Sequence, residues 1–230
     1  MKSSTHIEDV NRREARRLLA DRVKCVSRDR FDDLAVDIYR YQYRYNPVYR
    51  QFCTLIGRTP DHFSDVSGIP FLPIGFFKTN NVITGTFDPA AIFESSGTTG
   101  QTPSKHFVND LELYDSLSES GFMSVFDQPV EDFKWFGLLP SYLERPNASL
   151  VRMVQHFVHK GGGGFFMDDM QALISHLEST SSEKTILIGV TFALLDLAEQ
   201  YNGKLPVTYV IETGGMKGRR REMTRREVHD

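Results

Sequence analysis

Cysteine is nearly absent from this 230-residue chain: Cys25 and Cys53 stand alone with no CxxC pair, which excludes a local zinc knuckle and a disulfide framework. Tryptophan occurs once, at Trp135, whose simplest place is a core. No apolar run approaches the roughly 18–20 residues that cross a bilayer. The opening segment, MKSSTHIEDVNRREARRLLADR, lacks the apolar centre of a signal peptide. Repeats, low-complexity tracts and an obvious linker are missing too. No membrane span is expected, and the cytoplasm is the expected address. What remains is an ordinary globular composition, 40% hydrophobic and 25% charged. A chain this long buries roughly 70–75% of its unfolded surface and needs no covalent staple.

The formal charge of −3 conceals an asymmetry. Residues 1–30 carry nine basic and five acidic side chains, residues 217–230 six and three, and the segment between them twelve and twenty-two. Basic ends on an acidic body suggest a nucleic-acid binder, but acids are interleaved with the basic residues at both ends, as on a solvated helix face. No nucleic-acid partner is expected.

The first third reads as helix. Phe31, Leu34, Ile38, Tyr41 and Tyr45 keep a 3-4-3-4 spacing that forms one stripe, broken at Asn46-Pro47. A second short helix, Val48 to Ile56, stops at Gly57. The tyrosine-rich stripe is expected to pack in a core rather than stack nucleobases. After a Pro-punctuated apolar stretch, FDPAAIFESSGTTGQTPSKHFV reads as strand, polar turn and strand. From Phe133 onward strands alternate with helices: FKWFGLLP, a helix over Leu150–Val158, GGFFMDD, a helix from Met170, TILIGV, FALLDLAEQYN and PVTYVIE. Four strands separated by crossover-length helices predict an α/β fold with a wound, mainly parallel sheet and flanking helices. The expected organisation is a helical segment, 1–69, packed on an α/β nucleotide-binding domain, 70–230, incomplete at its C-terminus. Thr224 with Glu227 predicts a capping box opening a last helix.

Ligands of open parallel sheets sit outside the carboxyl ends of the strands. Those ends are Pro140-Ser141-Tyr142, Asp168-Asp169, Thr191, and Glu212-Thr213-Gly214-Gly215. Ser141, Tyr142 and Thr191 are thereby expected to line a substrate pocket. Ser95-Ser96-Gly97-Thr98-Thr99-Gly100, followed by Lys105, offers hydroxyls, flexible backbone N–H groups and an ammonium suited to phosphate oxygens. It lacks the Gly-Lys-Ser/Thr of a Walker loop, and a plain polar hairpin turn has a similar composition. His156 and His159 fall away from the apolar face of their helix toward solvent and lack a third metal ligand. Gly161–Gly164 reads as a helix C-cap and tight turn, and Asp168-Asp169 as capping acids.

The stretch IFESSGTTGQTPSKH resembles the phosphate-binding loop of the adenylate-forming enzymes, specifically the acyl-protein synthetase (LuxE) family. LPIGFFKTNNV, GLLPSYLERPNASL and VIETGGMKGRRREMTRREVHD resemble the same family, so the likeness spans residues 70–230. It implies an ATP- and Mg2+-dependent ligase that converts a carboxylic acid, a fatty acid in this family, to acyl-AMP. The acyl group then passes to a thiol of an acyl-acceptor or reductase protein. By the resemblance, Ser95–Gly100 hold the β- and γ-phosphates, with Thr98, Thr99 and Lys105 as catalytic groups. Glu212, Thr213, Gly214 and Gly215 lie against the adenine, and Lys217 and Arg219 either touch phosphate or form a solvated basic stretch. Ser104 stands where many members of the superfamily carry lysine, leaving Lys105 one step along. The magnesium-anchoring motif, the closing domain with its lysine and the family's acyl-accepting cysteine have no counterpart in these residues. No metal ligand is therefore assigned within the chain. A non-catalytic nucleotide or acyl-adenylate binding module is the alternative.

Overall fold

The computed structural model describes residues 2–61, 65–95, 102–139, 147–166, 169–201, 203–214, 216, 219–221 and 223–229. The chain forms two compact units, 1–117 and 118–230.

The first unit opens with α1 (Lys2–Lys24), α2 (Phe31–Tyr45) and α3 (Pro47–Leu55). Asn46-Pro47 both ends α2 and starts α3. The Asn46 side chain accepts from the Tyr49 amide at 3.1 Å, and Pro47, lacking an N–H, fills the first helical position at no cost. The apolar stripe of α2 lies differently from expectation: Leu34, Val36 and Tyr39 are buried deepest, and Phe31 is 55% exposed. Both α1 and α3 contact α2, which widens its buried face beyond one stripe. The tyrosines pack in this layer. Tyr39 meets Tyr43 and Tyr49, Tyr41 meets Tyr45, and the hydroxyls of Tyr39 and Tyr49 donate to the carbonyls of Arg58 and Pro70. Burial pushes the Tyr39 hydroxyl up to about 12 and raises Tyr49 as well.

Arg12 corrects the picture of α1 as a solvated face. It is 5% exposed, pairs with Asp9 and donates to the Thr86 carbonyl at 3.1 Å. Arg16 and Arg22 pair with Asp110 and Asp37. A single turn, α4 (Phe76–Thr79), precedes an antiparallel hairpin of β1 (Ala91–Glu94) and β2 (Lys105–Val108). The helix α5 (Leu111–Phe126) follows, where sequence periodicity had marked none.

The second unit is the wound sheet. Its strands β3 (Lys134–Leu138), β4 (Gly163–Phe165), β5 (Thr185–Gly189) and β6 (Tyr209–Glu212) are all parallel, in the order β4-β3-β5-β6. The crossovers are α6 (Ser149–Gly161), α7 (Met170–Ser179) and α8 (Thr191–Gln200). Every residue of β5 is buried, which is why TILIG reads as an unbroken run. A side chain at Gly137 would press on Phe165 and Val154 of α6, and one at Gly189 on Leu194 of α8. Leu138, the neighbour of Gly137, pairs with Gly189, so the two glycines face opposite sides and so do α6 and α8. Leu173 and Leu177 of α7 and Leu197 of α8 join Phe136, Leu138 and Leu187 in one core cluster. Trp135, fully buried as expected, anchors a second with Phe122, Phe133, Phe157 and Ile186. Asp169 caps α7 through the Ala172 amide at 2.9 Å, and Gly162 (φ 82°) closes α6, both as the sequence suggests.

Candidate functional site

A parallel sheet puts all its carboxyl ends on one edge. The winding from β3 runs outward to β4, then crosses back to β5 and on to β6, so its direction reverses between β3 and β5. Ligands of such sheets bind at that edge, because the strand-to-helix turns diverge there. The turn after β5 enters α8 at Thr191, which is 3% exposed. Its hydroxyl donates to the carboxylate of Glu212, the last residue of β6. Two strand ends named separately by the sequence are thus joined directly. One residue on, Thr213 returns to the same sheet edge, its amide donating to the Gly189 carbonyl at 2.9 Å and its hydroxyl at 3.2 Å. Gly214 then takes φ 78°, a left-handed value that strains any residue with a Cβ, and among the described residues nothing lies within 4 Å of the position a Cβ would occupy.

The segment beyond is tied down by residues whose roles the sequence did not disclose. Met216 is 4% exposed and joins the sheet core. Arg219 lies 5.5 Å over the Phe192 ring, and Arg220 grips Asp196 and Glu199 of α8, which raise its already high pKa. Arg221 pairs with Glu227. Arg220, next to the Arg219 read as phosphate contact or solvated surface, is thus held by two carboxylates of α8. The capping box forms as expected at the start of α9 (Arg225–His229): Glu227 accepts from the Thr224 amide at 2.8 Å, and this bond with its companions holds the Glu227 carboxyl at about 2.

In the first unit, the hairpin bearing the hydroxyl-rich loop is closed at its base. The Ser95 amide donates to the Ser104 carbonyl at 3.0 Å, and the Ser104 amide to the Ser95 hydroxyl at 2.9 Å. Lys105 is exposed on β2 opposite Glu94. Ser96, Gly97, Thr98, Thr99, Gly100, Ser141, Tyr142, Asp168, Gly215 and Lys217 lie outside the described residues.

His156 departs from expectation. Its side chain is 19% exposed and hydrogen-bonds Glu119 of α5, while Lys160 reaches the same carboxylate at 2.8 Å. The wheel of α6 alone turns His156 to solvent, but Glu119 of α5 stands on that side. Among the described residues no three His, Cys, Asp or Glu side chains gather as a metal site, and no helix is long and apolar enough to cross a membrane. No protein-family model matches the chain, and no curated protein is significantly similar to it.

Proposed function

We propose that the chain is the nucleotide-binding part of an adenylate-forming acyl ligase of the acyl-protein synthetase type. In this reading a carboxylic acid, a fatty acid by the resemblance, attacks the α-phosphate of ATP. The bond to the leaving pyrophosphate breaks, and a thiol of an acceptor protein then takes the acyl group from acyl-AMP, forming a thioester and releasing AMP and the thiol proton. The observation that carries the proposal is the β6 end. The pinned Glu212, the Thr213 turn and a left-handed Gly214 follow one another at the ligand edge of a wound sheet, within the VIETGG stretch that resembles the family. A residue without a side chain leaves a flat surface against which a base can lie.

The chain's own work is binding and orientation. Residues 95–100 supply hydroxyl and backbone donors to phosphate oxygens, and Lys105 adds positive charge. Cys53 is fully buried with its thiol raised by burial, which makes it unsuited to accept an acyl group. Magnesium supplies charge neutralisation on the transferring group when bound. The described residues offer no cluster to hold it, and no step is assigned to it.

Calorimetric titration with ATP tests the reading. Thr98→Ala with Thr99→Ala is expected to weaken binding at least tenfold, each charge-assisted hydrogen bond contributing about 1.5–3 kcal/mol. Equal affinity in both proteins overturns the loop assignment, and no ATP binding to the wild type overturns the proposal.

A further inference from the structure

The geometry points to a membrane-surface contact in the first unit: the loop of residues 71–74, with the adjoining end of α3, inserts into the headgroup region of an anionic bilayer. The inference is independent of the nucleotide reading and adds a lipid partner to it.

The loop is held along one face of α3. Tyr49, Phe52 and Ile56 recur at i, i+3 and i+7, so they share that face. The Tyr49 hydroxyl donates to the Pro70 carbonyl at 2.6 Å, and the Phe52 ring meets Phe76 edge to face at 5.7 Å. Both ends of the loop are thereby fixed to the helix. Its second half is a tight turn, the Phe76 and Phe77 amides donating to the carbonyls of Pro73 and Ile74 at 3.0 and 3.2 Å. Between these anchors Phe71 and Ile74 stand in solvent, 86% and 76% exposed. Leu55 and Ile56, three and four residues past Phe52, continue the same helix face and are 79% and 48% exposed. Single exposed apolar side chains are ordinary, but four on one anchored turn and the helix end beside it form a patch. With its ends already fixed, the loop loses little conformational freedom when its tip is covered.

The surrounding charge selects the occupant. Residues 38–87 carry five basic and two acidic side chains, in a chain whose net charge is −3. Arg44, Arg50 and Arg58 are exposed. Arg44 lies over the Tyr45 ring and Arg50 donates to the Arg44 carbonyl, and among the described residues none of the three arginines meets a carboxylate. Arg50 stands on α3 itself and Arg58 two residues beyond Ile56, so positive charge flanks the apolar patch. Guanidinium groups in this place donate to headgroup phosphates while the apolar side chains reach the acyl boundary, and an anionic leaflet strengthens the attraction. A protein partner is a poorer match. Four side chains exposed to this degree present on the order of 500 Å² of apolar surface, against about 800 Å² per partner in a stable interface.

The test is cosedimentation of the full chain with vesicles of phosphatidylcholine alone and of phosphatidylcholine with about one-third phosphatidylserine. Binding to the anionic vesicles is expected to be about tenfold or more tighter than to the neutral ones, and to weaken in about 1 M salt, where exposed charges are screened. Phe71→Ser with Ile74→Ser should weaken it by about tenfold or more, and Arg50→Gln with Arg58→Gln should remove most of the preference for phosphatidylserine. No binding of the wild type to either vesicle, or equal binding by the wild type and the Phe71→Ser, Ile74→Ser chain, overturns the inference. A wild-type dimer in analytical ultracentrifugation that the same two substitutions dissociate, with no vesicle binding, assigns the patch to a second copy and also overturns it. Phe71→Trp decides the matter if a double variant does not fold. Its emission should move to shorter wavelength on adding anionic vesicles, over the steady signal of buried Trp135, and an unmoved spectrum places residue 71 outside the bilayer and ends the proposal.

Discussion

The guanidinium of Arg12 lies directly against the backbone of Gly85, so that a methyl group placed on Gly85 would overlap it. Gly85 has φ 78° and donates its amide to the Tyr45 carbonyl at 2.8 Å, so α1, α2 and this loop meet at one point. Gly85→Ala would add left-handed strain to a clash with a buried charge. We expect a loss of about 2–4 kcal/mol in the first unit, read by urea denaturation followed by circular dichroism. A cost below about 0.5 kcal/mol would show that Arg12 can move aside freely.

A contrast on α5 tests the aromatic core of the second unit. Phe122 is 8% exposed and its ring meets those of Phe126, Phe133, Trp135 and Phe157, whereas Val125 is 77% exposed. Phe122→Ala should cost about 3–5 kcal/mol and Val125→Ala no more than about 0.5. Trp135, the single tryptophan and fully buried, reports the transition by fluorescence. Equal effects of the two substitutions would contradict this placement of α5.

The Glu119 cluster predicts a pH response. Burial opposes the charged form of Glu119, but hydrogen bonds from Lys160 and His156 outweigh it and hold the carboxyl below its ordinary value. The Glu119 bond raises Lys160. A depressed carboxyl stabilises the fold above its unfolded value, near 4.5, and that contribution disappears as pH falls through the lower folded value. Lys160 contributes below its unfolded value, near 10.5, and loses the contribution as pH rises through the higher folded one. Stability measured by Trp135 fluorescence should therefore fall less between pH 5 and 3 in Glu119→Gln than in wild type. The difference should be about 0.5–1 kcal/mol, since these side chains are partly exposed. Parallel curves would remove the ion pairs from the account.

The two thiols should behave oppositely. Cys53 is buried, and burial raises its pKa, while Cys25 is exposed. An aromatic disulfide reagent at pH 8 should modify one thiol per native chain rapidly and the second only in denaturant. Fast reaction of both in the native protein would place Cys53 nearer solvent than its packing allows.

What the sequence disclosed tracks how much of each element is buried. β5 is buried throughout and runs Ile186, Leu187, Ile188 without a charged residue because both its faces are covered, and α6 keeps Val151, Val154 and Phe157 on one side. By contrast, α5 buries Asp115 and Phe122 while leaving Leu117, Met123 and Val125 exposed, so its apolar residues trace no clean stripe. His156 reads as solvent-facing for the same reason, because its partner Glu119 stands on α5. Arg12 was hidden by its charge, since a buried guanidinium reads like a surface one until its partners are known. At the candidate site, the rule of strand carboxyl ends named Thr191 and Glu212 separately. Their hydrogen bond joins positions 21 residues apart through the sheet register, which no local pattern encodes.

The strand order also bears on how the protein comes to fold. In the second unit Trp135 pairs with Gly163, Lys134 with Thr185 and Ile186 with Tyr209, so no ladder can start from a hairpin. The central pairing brings together residues 51 apart and must wait for the intervening chain to be enclosed. The first unit also closes over long spans of chain: its hairpin joins Glu94 to Lys105, but Arg12 meets Thr86 across 74 residues and Arg16 meets Asp110 across 94. Because folding slows as contacting residues become more distant in sequence, such closures cost loop entropy in both units. In the sheet that cost falls on the strand pairings themselves, so its apolar strands are covered only when the crossovers are in place.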